Sequence, residues 1–74
     1  MDREDLHIGD YLSYESAGRG RLVGKVKSIA GYQALVWLVD GTPMEIRVSI
    51  KDATKVTEEE AILAALKGFV NVQL

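Results

Sequence analysis

Met44-Glu45-Ile46-Arg47-Val48-Ser49-Ile50 alternates apolar and polar residues without a break. Side chains on a strand alternate faces with period two, so this segment predicts a strand with one dry and one wet face. Ahead of it, Tyr32 to Val39 is apolar at nearly every position, and Asp40-Gly41 between the two is a hairpin signal. Strand four is therefore expected over Thr42 to Ile50, with Pro43 at its start, where a missing N–H does least harm. Strand three is expected over Tyr32 to Val39. One of its faces carries Tyr32, Ala34, Val36 and Leu38, and the other Leu35, Trp37 and Val39, so both sides call for cover.

Upstream, Arg21 to Ile29 reads as strand two. Leu22, Gly24, Val26 and Ser28 fall on one face, and Arg21, Val23, Lys25 and Lys27 on the other. Gly24 in mid-strand predicts a bulge, a bend or a close backbone approach. Strand one is expected from Asp10 to Tyr14, after a turn at Gly9. Residues 15–20, Glu-Ser-Ala-Gly-Arg-Gly, then read as an exposed flexible loop. Residues 1–7 read as a polar, loose arm.

At the other end the period changes. Thr57 with Glu60 three residues on makes a capping-box pattern, and Glu58 and Glu59 suit the positive end of a helix dipole. Ala61-Ile62-Leu63-Ala64-Ala65-Leu66 is strongly helical, Lys67 suits a last turn and Gly68 a C-cap. A helix over 57–67 is predicted, with Ile62, Leu63 and Leu66 as its apolar stripe. Residues 69–74 read as a last short strand. The expected order is four strands, a helix and a strand in a single domain of 74 residues.

Composition narrows the chemistry. A chain of this length buries only about 60–65% of its unfolded surface, so its core is small. There is no cysteine, which excludes disulfides and thiolate metal sites, and the single histidine, His7, cannot build a histidine-rich site. No metal or cofactor is expected. No run approaches the length of a membrane span, and the acidic N-terminal residues lack the pattern of a secretory signal, so a cytoplasmic location is expected.

The net charge of −2 is unevenly placed. Residues 19–29 hold Arg19, Arg21, Lys25 and Lys27 and no acid, while the segment before them is strongly acidic. Those four bases, with Tyr11, Tyr14 or Tyr32 for stacking, are candidates for contact with phosphates and bases. The simpler reading is a solvated strand face, and a third is a basic docking patch for an acidic protein. Trp37, a lone tryptophan in an apolar strand, points to a core or an interface ahead of a peptide groove. Ile62 and Leu66 point to docking on the same chain or on another copy, and a homo-oligomer would cover both faces of strand three. Catalytic constellations are missing. Ser13, Ser16 and Ser28 have only His7 as a base, the Glu58-Glu59-Glu60 run is explained by its helical first turn, and Gly18-Arg19-Gly20 lacks the Lys-Ser/Thr of a phosphate loop.

A short strand opened by Ile8-Gly9-Asp10-Tyr11, a loop, a tight three-stranded meander and a closing strand resemble the SH3-like small barrel. Tudor, KOW and type II dihydrofolate reductase domains share that layout, and the resemblance covers roughly residues 8–56. It implies a mainly β fold, a partly open antiparallel barrel of about five strands with one C-terminal helix. The helix departs from the simplest members, which have only a short 3-10 turn before the last strand. Where the reductases read Val-Gln-Ile-Tyr along their cofactor strand, this chain has Met44-Glu45-Ile46-Arg47 and keeps only the isoleucine, so no enzyme is expected. Such barrels bind peptides, methylated side chains or nucleic acids, and fold alone does not choose. The expectation is a non-enzymatic binding or adaptor module acting through contacts with an unknown protein partner. The alternative is an RNA- or DNA-binding barrel using residues 19–27.

Overall fold

Period-two burial organises the chain into strands β1 (Tyr11–Ser16), β2 (Gly20–Ala30), β3 (Gln33–Leu38), β4 (Glu45–Ser49) and β5 (Thr54–Val56), followed by one helix, α1 (Glu58–Gln73). These come from a computed structural model that describes residues 1–18, 20–39 and 44–73, with residues 68–73 as backbone only. The fold is mainly β, as the alternation predicts. All five strands lie antiparallel in one open sheet, in the order β4-β3-β2-β1-β5. A 3-10 turn at Ile50–Asp52 joins β4 to β5.

The inner face is closed. Leu12, Val26, Val36 and Ile50 are fully buried, and Leu6, Ala34, Val48 and Ala53 complete the cluster, with Tyr14, Ile29 and Ile46 packed against it. Val48 and Ile50 carry the dry face of the alternating segment into this core, which fixes its register against β3. Gly24 is where β2 meets β3 most closely. A Cβ there would lie 3.0 Å from Val36 Cβ and 3.1 Å from the Trp37 carbonyl oxygen, so the close backbone approach expected at this glycine is present. The bulge lies three residues on. Val26 pairs with Val36 and Ser28 with Leu35, which leaves Lys27 as the extra residue. Lys27 and Ser28 are both exposed, and the alternation resumes with its phase shifted, so that Ile29 rather than Ser28 turns toward the core.

Several expectations are corrected. Residues 1–7 are not a loose arm along their whole length: Leu6 is buried in the core, Met1 packs against it, and Arg3–Asp5 forms a 3-10 turn. Residues 15–20 do not form a long loop. β1 runs on to Ser16, which pairs with Gly20 at φ +74°, so the connection is a short hairpin. The strand expected at 69–74 is not formed over the described residues 69–73, because α1 continues to Gln73. The place beside β1 is taken by Thr54–Val56, ahead of the helix. A helix already propagating gains a hydrogen bond per added residue, which offsets the cost of about 1 kcal/mol for glycine at position 68. The Asp40-Gly41 turn and Pro43 lie outside the described residues.

Thr57 starts α1 as its sequence predicts, accepting a hydrogen bond from the Glu60 N–H at 3.1 Å on its Oγ1. Of the two places the sequence left open for the apolar stripe of α1, the same chain or another copy, the stripe does not take the first. Ala61, 2% exposed, and Ala64 meet Val23, Val56, Tyr11 and Val39. Ile62, Leu63 and Leu66 point away and are 52%, 59% and 55% exposed.

Candidate functional site: a groove between Ile8 and Trp37

The outer face of the sheet is covered by α1 over only part of its area. One cross-strand row runs Val56, Tyr11, Lys25, Trp37 and Glu45 through all five strands. At one end of the face α1 buries Val56 and packs on Tyr11. Further along, Trp37 remains 43% exposed, and Leu35 beyond it is half-buried. The second dry face expected for β3 is thus covered by α1 only at Val39, and Tyr32 is exposed outside the strand.

A turn supplies the wall opposite Trp37. His7-Ile8-Gly9-Asp10 closes with the Asp10 N–H donating to the His7 carbonyl at 3.0 Å, and Gly9 takes φ +97°. The His7 N–H donates to Asp10 Oδ2 at 2.8 Å, which locks the turn from the side-chain side. Two backbone bonds fasten it to β2: the Gly9 N–H donates to the Val26 carbonyl at 2.9 Å, and the Val26 N–H to the Asp10 carbonyl at 2.8 Å. Ile8 is thereby held at the tip, 69% exposed. Between it and Trp37 lies an open groove of about 590 Å³, lined by Ile8, Gly9, Lys25, Val26, Lys27 and Trp37.

The charges around the groove are of two kinds. Lys27, projected by the bulge, bonds Glu45 and lies 5.2 Å from the Trp37 ring centroid, a cation–π distance. Lys25 lies 6.0 Å from the Tyr11 ring and meets no carboxylate among the described residues. Asp10, behind the Ile8 turn, has its carboxyl held below the ordinary range, chiefly by the His7 backbone N–H. Slight burial opposes this, and Lys55 Nζ, at 3.3 Å, adds to it.

The groove brings Lys25, Lys27 and Trp37 together. The other candidates do not join them. Tyr14 lies on the opposite face, half-buried and packed against the inner core. Tyr11 packs under α1, which leaves its ring only partly available. Arg21 lies 3.9 Å from Glu60 at the start of α1. Arg19 lies outside the described residues. Ile62 and Leu66 are exposed on α1. Sequence reasoning missed Ile8, Gly9 and Glu45. The one signal for the first two is a large apolar residue directly before a turn glycine.

Among the described residues, no group of three or more metal-ligating side chains is gathered in one place, and no helix is long and apolar enough to cross a membrane. Comparison with protein-family models, with curated proteins and with solved structures gave no match.

Proposed function

We propose that this protein is a non-enzymatic binding module of SH3-like, partly open barrel type, and that it docks short protein segments in the groove between Ile8 and Trp37. The barrel reading is supported by the strand order β4-β3-β2-β1-β5 and by the 3-10 turn between β4 and β5, both of which fit the layout of that class. The binding reading rests on one observation: a tryptophan and an isoleucine stand exposed across an open groove, on a turn and a strand that are each tied down by backbone bonds. Tryptophan in a desolvatable pocket is the residue type that most often dominates protein interfaces. Lys25 and Lys27 on the rim favour an occupant that places acidic side chains beside an apolar anchor.

A nucleic-acid ligand is less well supported. Of the three described bases of residues 19–27, Arg21 and Lys27 already face Glu60 and Glu45, which leaves little uncompensated charge for phosphates.

Trp37 is the only tryptophan in the chain, so its fluorescence reports on the groove directly. Selection from a random peptide library should enrich sequences with Asp or Glu next to Leu, Phe or Trp. Tryptophan-free members of that set should shift the Trp37 emission on binding. Lys25→Glu and Ile8→Ser should each weaken binding at least tenfold while leaving the melting temperature within a few degrees. A library that enriches nothing would count against the proposal. So would tight binding of single-stranded RNA or DNA that weakens steeply with salt and is lost on reversing Lys25 and Lys27.

A further inference from the structure

α1 is built the wrong way round for a helix whose only task is to cover its own sheet. Its small residues, Ala61 and Ala64, face the strands, and its large apolar residues, Ile62, Leu63 and Leu66, face away. At about 100° per residue these three share one stripe with Glu59, flanked by Glu60 and Lys67. An apolar stripe on an amphipathic helix calls for a cover, and the charges beside it indicate which kind. Glu58, Glu59 and Glu60 fill the first turn, and Lys67 lies beyond the stripe, exposed and facing no carboxylate among the described residues. Glu60 and Lys67 are seven residues apart, about 10 Å along the axis, too far to pair on their own helix. An anionic lipid surface is disfavoured by Glu59 in the stripe and by Glu58 and Glu60 beside it. A second α1 running antiparallel about the 62–66 segment is favoured, because Glu59 in the first turn of each helix then meets Lys67 of the other across a twofold axis.

We propose that α1 pairs antiparallel with α1 of a second copy of this chain. Ile62, Leu63 and Leu66 of each copy are buried in the pair, and Lys67 of each is set beside Glu59 of the other. This pairing does not depend on the groove, which lies on the sheet face beside α1.

Sedimentation equilibrium over a hundredfold concentration range, up to about 1 mM, reads the pairing. The wild-type chain should pass from monomer to dimer. Leu63→Glu and Leu66→Glu together should keep it monomeric with an unchanged circular-dichroism spectrum, since both positions are exposed in the single chain. Lys67→Glu should weaken dimerisation about tenfold, because it replaces two weak attractions by two repulsions. Adding Glu59→Lys to Lys67→Glu should restore it, and that rescue does not depend on how the leucine variants fold. A wild-type chain that stays monomeric throughout overturns the proposal. So does a dimer that survives the two leucine substitutions, a Lys67→Glu defect that Glu59→Lys does not repair, or a monomer that binds phosphatidylcholine vesicles through α1.

Discussion

The two faces of the sheet are built from the same strands and differ in what closes them. On the inner face, side chains from β1, β2, β3 and β4 meet residues of the N-terminal segment and of the turn before β5, and Leu12, Val26, Val36 and Ile50 lose all contact with water. On the outer face α1 covers one part with alanines, and the remainder keeps Trp37, Lys25 and Lys27 open beside Ile8. Buried apolar surface is concentrated in the first face and open apolar surface in the second. A 74-residue chain has too little apolar mass to seal both, so the unsealed face is where a ligand can gain most by binding.

That contrast breaks most sharply under truncation. Leu12→Ala should cost about 2–5 kcal/mol, because it empties a fully enclosed site. Trp37→Ala removes a larger side chain, yet it should cost under about 1 kcal/mol because the ring is already half in solvent. Urea denaturation of the two variants measures both. Equal losses would mean that Trp37 belongs to the core and that the two faces are not distinct. A second cut separates glycines by their surroundings. Gly24→Ala should lose about 1–3 kcal/mol, since the new methyl would press on Val36 and on the Trp37 carbonyl. Gly18→Ala has open space around it and should change little.

The inner face was largely legible in the sequence and the outer face was not. Strict alternation over 44–50 put Met44, Ile46, Val48 and Ile50 on one face, of which Val48 and Ile50 are buried, Ile46 packs on the core and Met44 is 43% exposed, and Gly24 announced a bulge, a bend or a close approach, because a period and a missing side chain are local signals. Leu6 gave no such signal, as a single apolar residue in an acidic run has no period to read. On α1 the pattern left two answers. Periodicity marks Ile62, Leu63 and Leu66 as one apolar stripe without saying whether it docks on the same chain or another copy, while close packing of the helix on the strand pair uses the small side of Ala61 and Ala64. The groove was invisible for a further reason. Ile8 and Trp37 are far apart in sequence, and what joins them is a pair of backbone bonds from the turn to β2, which no residue type advertises.

The cover itself can be weakened at its starting point. Thr57→Ala removes the side-chain acceptor for the Glu60 N–H and should destabilise α1 by about 1 kcal/mol. If α1 closes only the outer face, amide exchange should rise first at Val23, Val56 and Ala61, while Leu12 and Val36 stay protected. Uniform loss of protection would show that the helix and the inner core open as one unit.

The smallest effect is expected at Asp10, which fixes the turn that presents Ile8. Its carboxyl is held below its ordinary value near 3.8 by the His7 N–H first, with Lys55 contributing, so the folded state prefers the ionised form more than the unfolded chain does. The stabilisation is therefore fully present above pH about 4 and is lost as pH falls through the lower folded value. Asp10→Asn keeps an oxygen for the His7 N–H and removes the charge facing Lys55. Because Lys55 is about half exposed, the loss at pH 7 should be no more than about 0.5–1 kcal/mol. The gap between variant and wild type should close as pH drops from 5 toward 2. A gap of the same size at pH 2 would mean that the ionised carboxylate is not what holds the turn, and that Ile8 owes its position to the two backbone bonds to Val26 alone.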